Sequence, residues 1–385
     1  MKILMFGTYP LDRKKIIGGV EAVTSTIVDA LVDEDAVDQI CVVSFKTTIH
    51  KPKIVRSNQK LTIYYLPSQK RFLLPTNAVI NQWQAKKIYN SFKPDIVHSQ
   101  GIGSDGLITS QFNCPKIVTV HGLVHIESKI ASNGSILNKL RTILLKINVR
   151  NILAKANAVI STTNYDARMI SNYVSCYHPI ISNPVPREYF SQKAIHISQK
   201  NVLFAGMCVR RKNILGILKA FKGVVGDCPD ALLTLVGPSP DKNYKKEVLD
   251  EIQSSGLNEC VRILGLLEAN ELIEELKRCK FIVLFSDEET SPTIIAQAMA
   301  IGKPIIATNV GGISEMVTDG QNGFLINPRD TEALASRMKY LLTNDNVCNL
   351  MAEVSRTRAL QQFFPDNIAK KTVEVYQKSL REASE

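Results

Sequence analysis

Eight cysteines are scattered along the 385 residues, and none forms a C-x-x-C pair. That excludes a zinc ribbon or disulfide framework and fits a reducing compartment. No run of about 18 apolar residues occurs, so no spanning helix is expected. The short N-terminal run "ILMFG" reads as a first strand rather than a signal segment. Aromatics make up only 6%, with a single tryptophan. A nucleic-acid binder would interleave aromatics with its basic residues, so the pI near 9.2 does not point there. Low-complexity tracts and short repeats are also absent.

Acid is scarce in one half only. Residues 1–190 hold 23 Lys and Arg against 12 Asp and Glu, while residues 191–385 hold 24 of each. The net charge of +11 therefore lies wholly in the first half. Such an asymmetry bears on partners rather than on fold, and here it favours an anionic surface.

What is present is a long alternation. Short β-branched runs such as "KILMFG", "QICVVSF", "LTIYYLP", "DIVHS", "KIVTVHG", "AVIST" and "PIISN" are separated by helix-length segments. The pattern repeats in "NVLFAG", "ALLTLVG", "VRILG", "FIVLF", "PIIAT" and "GFLI". Near-continuous apolar strands with helices between them imply parallel sheets covered on both faces. The expected fold class is α/β, with two Rossmann-like doubly wound domains facing a central cleft. Expected boundaries are 1–190, then 191–355, with a helical tail 356–385 packing back on the first domain.

In open α/β sheets, ligands sit beyond the carboxyl ends of the strands where strand order reverses. With the order 3-2-1-4-5-6, the second domain would bring "MCVRRKN" (207–213) beside "SDEETSP" (286–292). Ser291 is expected as N-cap and Pro292 as first residue of an apolar helix ending at Gly302. Its free amides at Thr293 and Ile294 would meet a phosphate, and Arg210, Arg211 and Lys212 would add cations. An ordinary capped core helix and a solvated basic turn are the plain alternatives. Asp287, Glu288 and Glu289 lack a histidine or second carboxylate cluster for a metal site. A carboxylate there more readily accepts hydrogen bonds from sugar hydroxyls.

In the first domain, the paired glycines of "GGVE" (Gly18, Gly19) would let backbone approach a phosphate. "GIGSDG" (101–106) matches G-x-G-x-x-G, but it follows a later strand, and Glu127 is the only acid about 20 residues on. It reads as a cleft loop rather than an NAD site. "ILNKLRTILLKINVRNILAKA" (136–156) is amphipathic and basic, with Lys139, Lys146 and Arg150 on one stripe. It suits either a solvated face or an anionic lipid surface.

"EETSPTIIAQAMAIGKPIIATNVGGISEMVTDGQNGFLI" (288–326) resembles the signature region of the retaining nucleotide-sugar glycosyltransferases of family 4, also called group 1. "GGVE" resembles that family's glycine loop, "TVHG" its cleft histidine, "ISNPVP" its interdomain linker and "FAGMCVRRKN" its phosphate-binding loop. The resemblance implies a GT-B architecture, no metal or other cofactor, and a nucleoside-diphosphate sugar as donor. Lys212, helped by Gly18 and Gly19, would hold the diphosphate. Glu289 would bond the donor sugar, His121 would meet the sugar at the reaction centre, Gln297 would meet the ribose, and Glu315 would support the site. Three positions depart from the pattern. Gln297 replaces an acid, Thr290 a glycine and Met207 an arginine, whose place Arg211 or Arg210 would take. The implied activity is retaining transfer to a saccharide or lipid-linked acceptor in cell-envelope polysaccharide synthesis. From the scattered cysteines and the basic first half, the expected place is cytoplasmic, peripheral on the inner membrane face. A nucleotide-sugar epimerase, a phosphorylase on the same fold and a non-catalytic sugar-nucleotide-binding subunit are the competing readings.

Overall fold

The computed structural model describes residues 1–16, 18–68, 76–122, 136–192 and 200–385, without the side chains of 76–79 and 136–141. Glu127 and the Lys139 side chain lie outside these residues. The described chain forms two compact units. The first comprises Met1–Leu11, Val20–Pro184 and Pro365–Glu385, and the second Asp12–Gly19 and Val185–Phe364.

The first unit contains β1 (Lys2–Phe6), α1 (Gly19–Val32), β2 (Gln39–Lys46), β3 (Lys53–Arg56), β4 (Leu61–Pro67), α2 (Thr76–Phe92) and β5 (Ile96–Gln100). It continues through α3 (Ser104–Thr109), β6 (Lys116–Val120), α4 (Ile136–Ala154), β7 (Ala158–Ser161) and α5 (Asn164–Ile170). The strands form one sheet in the order β3-β4-β2-β1-β5-β6-β7, parallel except for β3 against β4. The strand β3 is an addition to the expected set. Its "KIVR" is largely exposed, so it carries little of the apolar signal that marks the others. "PIISN" was expected as a strand and is not one. Ile180 makes only an isolated bridge to Ser161.

The second unit contains α6 (Arg187–Phe190), β8 (Asn201–Ala205), α7 (Ile214–Asp227), β9 (Leu232–Val236), α8 (Lys242–Ser254), β10 (Val261–Gly265) and α9 (Ala269–Arg278). There follow β11 (Phe281–Leu284), α10 (Thr293–Ile301), β12 (Ile305–Thr308), α11 (Ile313–Met316), β13 (Gly323–Ile326), α12 (Thr331–Thr343) and α13 (Asp345–Gln362). Its order, β10-β9-β8-β11-β12-β13, is the expected 3-2-1-4-5-6. The last helix, α14 (Pro365–Glu382), returns to the first unit. Three boundaries differ from the expected ones. The division falls at Pro184/Val185, residues 356–364 stay with the second unit, and so do Asp12–Gly19.

Strand alternation sorts the helices of the first unit. Leu4, Phe6 and Val97 point to the face covered by Ala85 of α2 and Ile108 of α3. Val118, Val120 and Val159 point to the same side, against Val149, Ile152 and Leu153 of α4. Ile3, Met5, Ile96 and Ile117 point the other way, against Ile27 and Leu31 of α1 and Ile368, Val373 and Tyr376 of α14. Thus α2, α3 and α4 share one face, and α1 and α14 the other. The tail helix holds on through this apolar stripe.

Candidate functional site

In the second unit, β8 and β11 are hydrogen-bonded neighbours, and the chain leaves them in opposite directions around the sheet. Their carboxyl-end loops meet. The loop after β8 makes a 3-10 turn at Arg210–Lys212, closed by Asn213 in the left-handed region at φ 48°. Asn213 then caps α7, its side chain accepting from the Gly216 N–H at 3.2 Å. The loop after β11 ties back when the Asp287 N–H donates to the Arg211 carbonyl at 2.8 Å.

This brings Lys212 Nζ onto Glu289 Oε1 as a buried ion pair. Arg211 reaches the same oxygen at 3.2 Å and donates to the Glu288 carbonyl. Glu289 is only 7% exposed, so its charge requires these partners. Burial alone would raise the Glu289 pKa. Lys212 and Arg211 outweigh it and hold the carboxyl below its usual value. Two cations and one anion leave this cluster with a net positive charge, suited to a polyanion. Arg210 is elsewhere. It forms a two-pronged pair with Glu247 at 2.5 and 2.9 Å and lies over the Tyr244 ring. Of the two arginines offered for the missing one, only Arg211 joins the cluster.

The helix α10 starts one residue later than expected. Pro292 is its N-cap, with no side-chain cap, so Ser291 does not serve. Proline has no amide to satisfy and its φ of −68° suits a helix entrance. The amides of Thr293 and Ile294 head the helix, where no helical carbonyl can reach them. The helix ends at Gly302 in the left-handed region, as expected. Gly19 packs against Thr293, where an added Cβ would lie 3.1 Å from its hydroxyl oxygen. Gly18 beside it is exposed.

Gly311 explains the "GGISE" stretch. Its φ is +57°, and a Cβ there would overlap the Glu289 carbonyl oxygen. The next amide, Gly312, donates to that same oxygen at 3.2 Å. The glycine pair therefore fixes the backbone that presents Glu289. Glu315 follows on α11, half-buried. Gln297 is buried in α10, one turn on from its start, and its amide forms no hydrogen bond among the described residues. Thr290 is half-buried and Met207 exposed.

In the first unit, His121 directly follows β6, and both its ring nitrogens are engaged. Nε2 lies 2.7 Å from Gln100 Oε1, and Nδ1 lies 3.0 Å from Asn183 Oδ1. Burial pushes the His121 pKa down to about 4, against the raising effect of the Asn183 bond. The ring is therefore neutral at pH 7, with one N–H, and one amide must turn its NH2 group to it. The Gln100 amide nitrogen lies 3.5 Å from His98 Nε2. His98 in turn bonds Thr119 at 2.8 Å and the Tyr376 hydroxyl of α14 at 2.7 Å. Its pKa falls to about 3, through burial and then through His121. A sugar hydroxyl can reach a His121 nitrogen only by replacing Gln100 or Asn183. Neither amide was singled out from the sequence, although Asn183 stands in the quoted "ISNPVP". In "GIGSDG", Gly101 follows β5, the fifth strand along the chain, and the following helix α3 is only six residues long. Burial raises Asp105 in its first turn to about 6. Among the described residues no cluster of His, Cys, Asp and Glu suits a metal ion.

Two α/β units with this topology and this charged switch point define the GT-B class. The glycosyl transferases group 1 model matches residues 186–358, and the Glycosyltransferase Family 4 model matches residues 17–189. The chain belongs to this glycosyltransferase family and is an enzyme of that type. It is 24% identical over 358 residues to an uncharacterized glycosyltransferase of Methanocaldococcus jannaschii, covering 92% of each chain. It is 25% identical over 274 residues to the N-acetyl-alpha-D-glucosaminyl L-malate synthase of Bacillus anthracis, covering 69% of this chain and 68% of that one. Its fold matches sucrose-phosphate synthase from Thermosynechococcus elongatus with TM-score 0.84 at 19% identity, over 98% of both chains. It also matches Anabaena HepE in complex with UDP-glucose, with TM-score 0.74 at 18% identity, over 98% of this chain and 100% of that one.

Proposed function

We propose that the chain transfers a sugar, with retention of anomeric configuration, from a nucleoside-diphosphate sugar to a saccharide or lipid-linked acceptor. The observation that carries this is the Lys212–Glu289–Arg211 cluster at the β8/β11 switch point, with the head of α10 beginning a few residues beyond Glu289. In this reading the diphosphate takes the Thr293 and Ile294 amides, Lys212 and Arg211, with Gly18 and Gly19 alongside. Glu289 is then free to accept from sugar hydroxyls, Gln297 from the ribose, while Glu315 steadies the loop. His121 would contact a sugar hydroxyl that replaces Gln100 or Asn183 at one ring nitrogen. No metal or cofactor is called for, because the amides and two cations carry the diphosphate charge.

The step balances simply. The anomeric carbon–phosphate oxygen bond breaks, its electron pair staying on the departing oxygen. The acceptor oxygen bonds to the anomeric carbon on the same face, and its proton passes to that departing phosphate oxygen. The fold relative bound to UDP-glucose makes this the first donor to try. The basic first half supports an acceptor at an anionic membrane. A place on the cytoplasmic side, in cell-envelope polysaccharide synthesis, is our proposal for it. No helix among the described residues is long and apolar enough to cross a membrane, so contact would be peripheral.

The test is nucleotide release from a panel of UDP- and GDP-sugars in the presence of EDTA, with membrane extract as acceptor source. Release of one nucleotide by the wild type and its loss in Lys212→Ala is the expected result. Anomeric coupling constants of the product then read out retention. Donor binding without release for every sugar would refute transfer, and inhibition by EDTA would refute the metal-free part.

A further inference from the structure

We infer that the α2–α3–α4 face of the first unit is a docking surface for an anionic lipid bilayer, with Trp83 of α2 as an anchor. This deepens the membrane part of the proposed function and rests on it. Two independent stripes carry the inference. On α2, Ile80, Trp83 and Lys87 stand at spacings of three and four, on one side of the helix. Trp83 is the only tryptophan of the chain, is 59% exposed, and stacks under the Lys87 ammonium at 3.5 Å. On α4, Ile143 and Ile147 are 55% and 50% exposed. Lys146 and Arg150, also exposed, border them on the same side.

The fold puts these stripes together. Both helices contact α3 and cover the same side of the sheet. Tyr89 of α2 stacks on Phe112, just beyond α3, at 4.4 Å. Single exposed apolar residues are ordinary on any surface. Here they recur on two helices of one face, each time beside lysine or arginine.

Charge selects the occupant. The helices α2 and α4 carry Lys86, Lys87, Lys139, Arg141, Lys146 and Arg150, and no acidic residue. Six of the twelve acids of this half, Glu21, Asp29, Asp33, Glu34, Asp35 and Asp38, lie in α1 and the turn after it, and α1 covers the other face; Asp105 of α3 is the one acid on the three helices of this face. A face of apolar side chains rimmed by basic ones, with an interfacial tryptophan, matches the headgroup and acyl boundary of an anionic bilayer. Lysine and arginine stems reach past the apolar groups to the phosphates.

The tryptophan makes the test label-free. Sedimentation with phosphatidylcholine vesicles, with and without 30% phosphatidylglycerol (about one lipid in three), is run without donor, so it is independent of transfer activity. Binding to the anionic vesicles alone is expected, weakened by salt, with a blue shift of Trp83 emission and quenching by brominated lipid. Lys146→Glu with Arg150→Glu, both exposed positions, should weaken partitioning at least about twentyfold, from roughly fivefold per basic residue. Circular dichroism confirms that this variant is folded. Absence of binding at low salt, or binding that leaves Trp83 emission unchanged, overturns the assignment. So does a dimer in light scattering that the double variant dissociates, since the face would then belong to a second copy. Transfer activity on a water-soluble acceptor by the double variant separates failure of this face from failure of the enzyme reading.

Discussion

Lys212 and Glu289 are 77 residues apart in sequence and form a buried ion pair at the meeting of two strand-end loops. The pair holds the acid charged and in place before any ligand arrives. A diphosphate would compete for the lysine and release the carboxylate toward the sugar.

Removing the lysine should cost stability as well as activity. Lys212→Ala leaves Glu289 buried with Arg211 alone, and breaking a buried pair costs about 3 kcal/mol. Chemical denaturation at pH 7 measures this. The double variant Lys212→Met with Glu289→Gln, which removes both charges, should recover a large part of the stability and none of the activity. Equal stability of the single and double variants would show that the pair is energetically idle.

The pair also sets a pH dependence. The Glu289 pKa is lowered in the fold, so its contribution is present above the unfolded carboxylate value and is lost as pH falls through the folded one. Wild-type stability should therefore drop below about pH 4.5 more steeply than that of Glu289→Gln. Parallel acid profiles of the two proteins would contradict this.

The two buried histidines act at milder pH. His98 and His121 have folded pKa values near 3 and 4, below the unfolded value near 6.5. Their depressed values mean stability is full above pH 6.5 and is lost as pH falls toward the folded values. At pH 5 each costs about 2 kcal/mol relative to pH 7. His121→Asn should flatten the pH 5 to 7 stability slope by about one histidine's share, as followed by urea midpoints. An unchanged slope would mean that the ring is charged in the fold.

Arg211 and Arg210 should separate cleanly. Arg211→Ala removes a cation from the cluster and is expected to weaken UDP binding about tenfold or more. Arg210→Ala breaks an exposed pair with Glu247 and a contact over the Tyr244 ring, both away from Glu289, and should change binding less than about twofold. Isothermal titration with UDP gives both numbers. The reverse ranking would exchange their roles.

Gly311→Ala tests the backbone that presents Glu289. The new methyl must displace the Glu289 carbonyl and adopt a positive φ, at a cost of roughly 1–3 kcal/mol. Nucleotide release should fall by more than tenfold with a lowered melting temperature. Gly320→Ala, also at positive φ but with open space around it, should lower the melting temperature and spare activity.

Much was legible in the chain itself. Apolar runs of strand length, separated by amphipathic segments, announced the strands of both sheets except β3. That one is short, exposed and antiparallel at an edge, so burial wrote no pattern into it. "PIISN" misled in the opposite sense, since its apolar content serves packing beside β7 and not a ladder. The order of the second sheet matches the 3-2-1-4-5-6 taken as a premise, and with it 207–213 meets 286–292; the alternation by itself also admits other doubly wound orders, so strand adjacency was decided by the fold.

Partner choice was another matter. Nothing local tells Arg210 from Arg211. The 3-10 turn sends one toward Glu247 on α8 and the other toward Glu289. Gln100, Asn183, His98 and Tyr376 look unremarkable in sequence, and only the stacking of β5, β6, α14 and the 183 segment makes them a hydrogen-bonded chain around His121. Gly311 looked like part of a motif, and only the fold shows that the Glu289 carbonyl occupies the place of its absent side chain. Periodicity is a property of neighbours along the chain, so sequence determines which segments become strands and helices and which face each buries. Contacts between groups tens of residues apart depend on angles and distances that accumulate over whole elements, and those the tertiary structure alone decided.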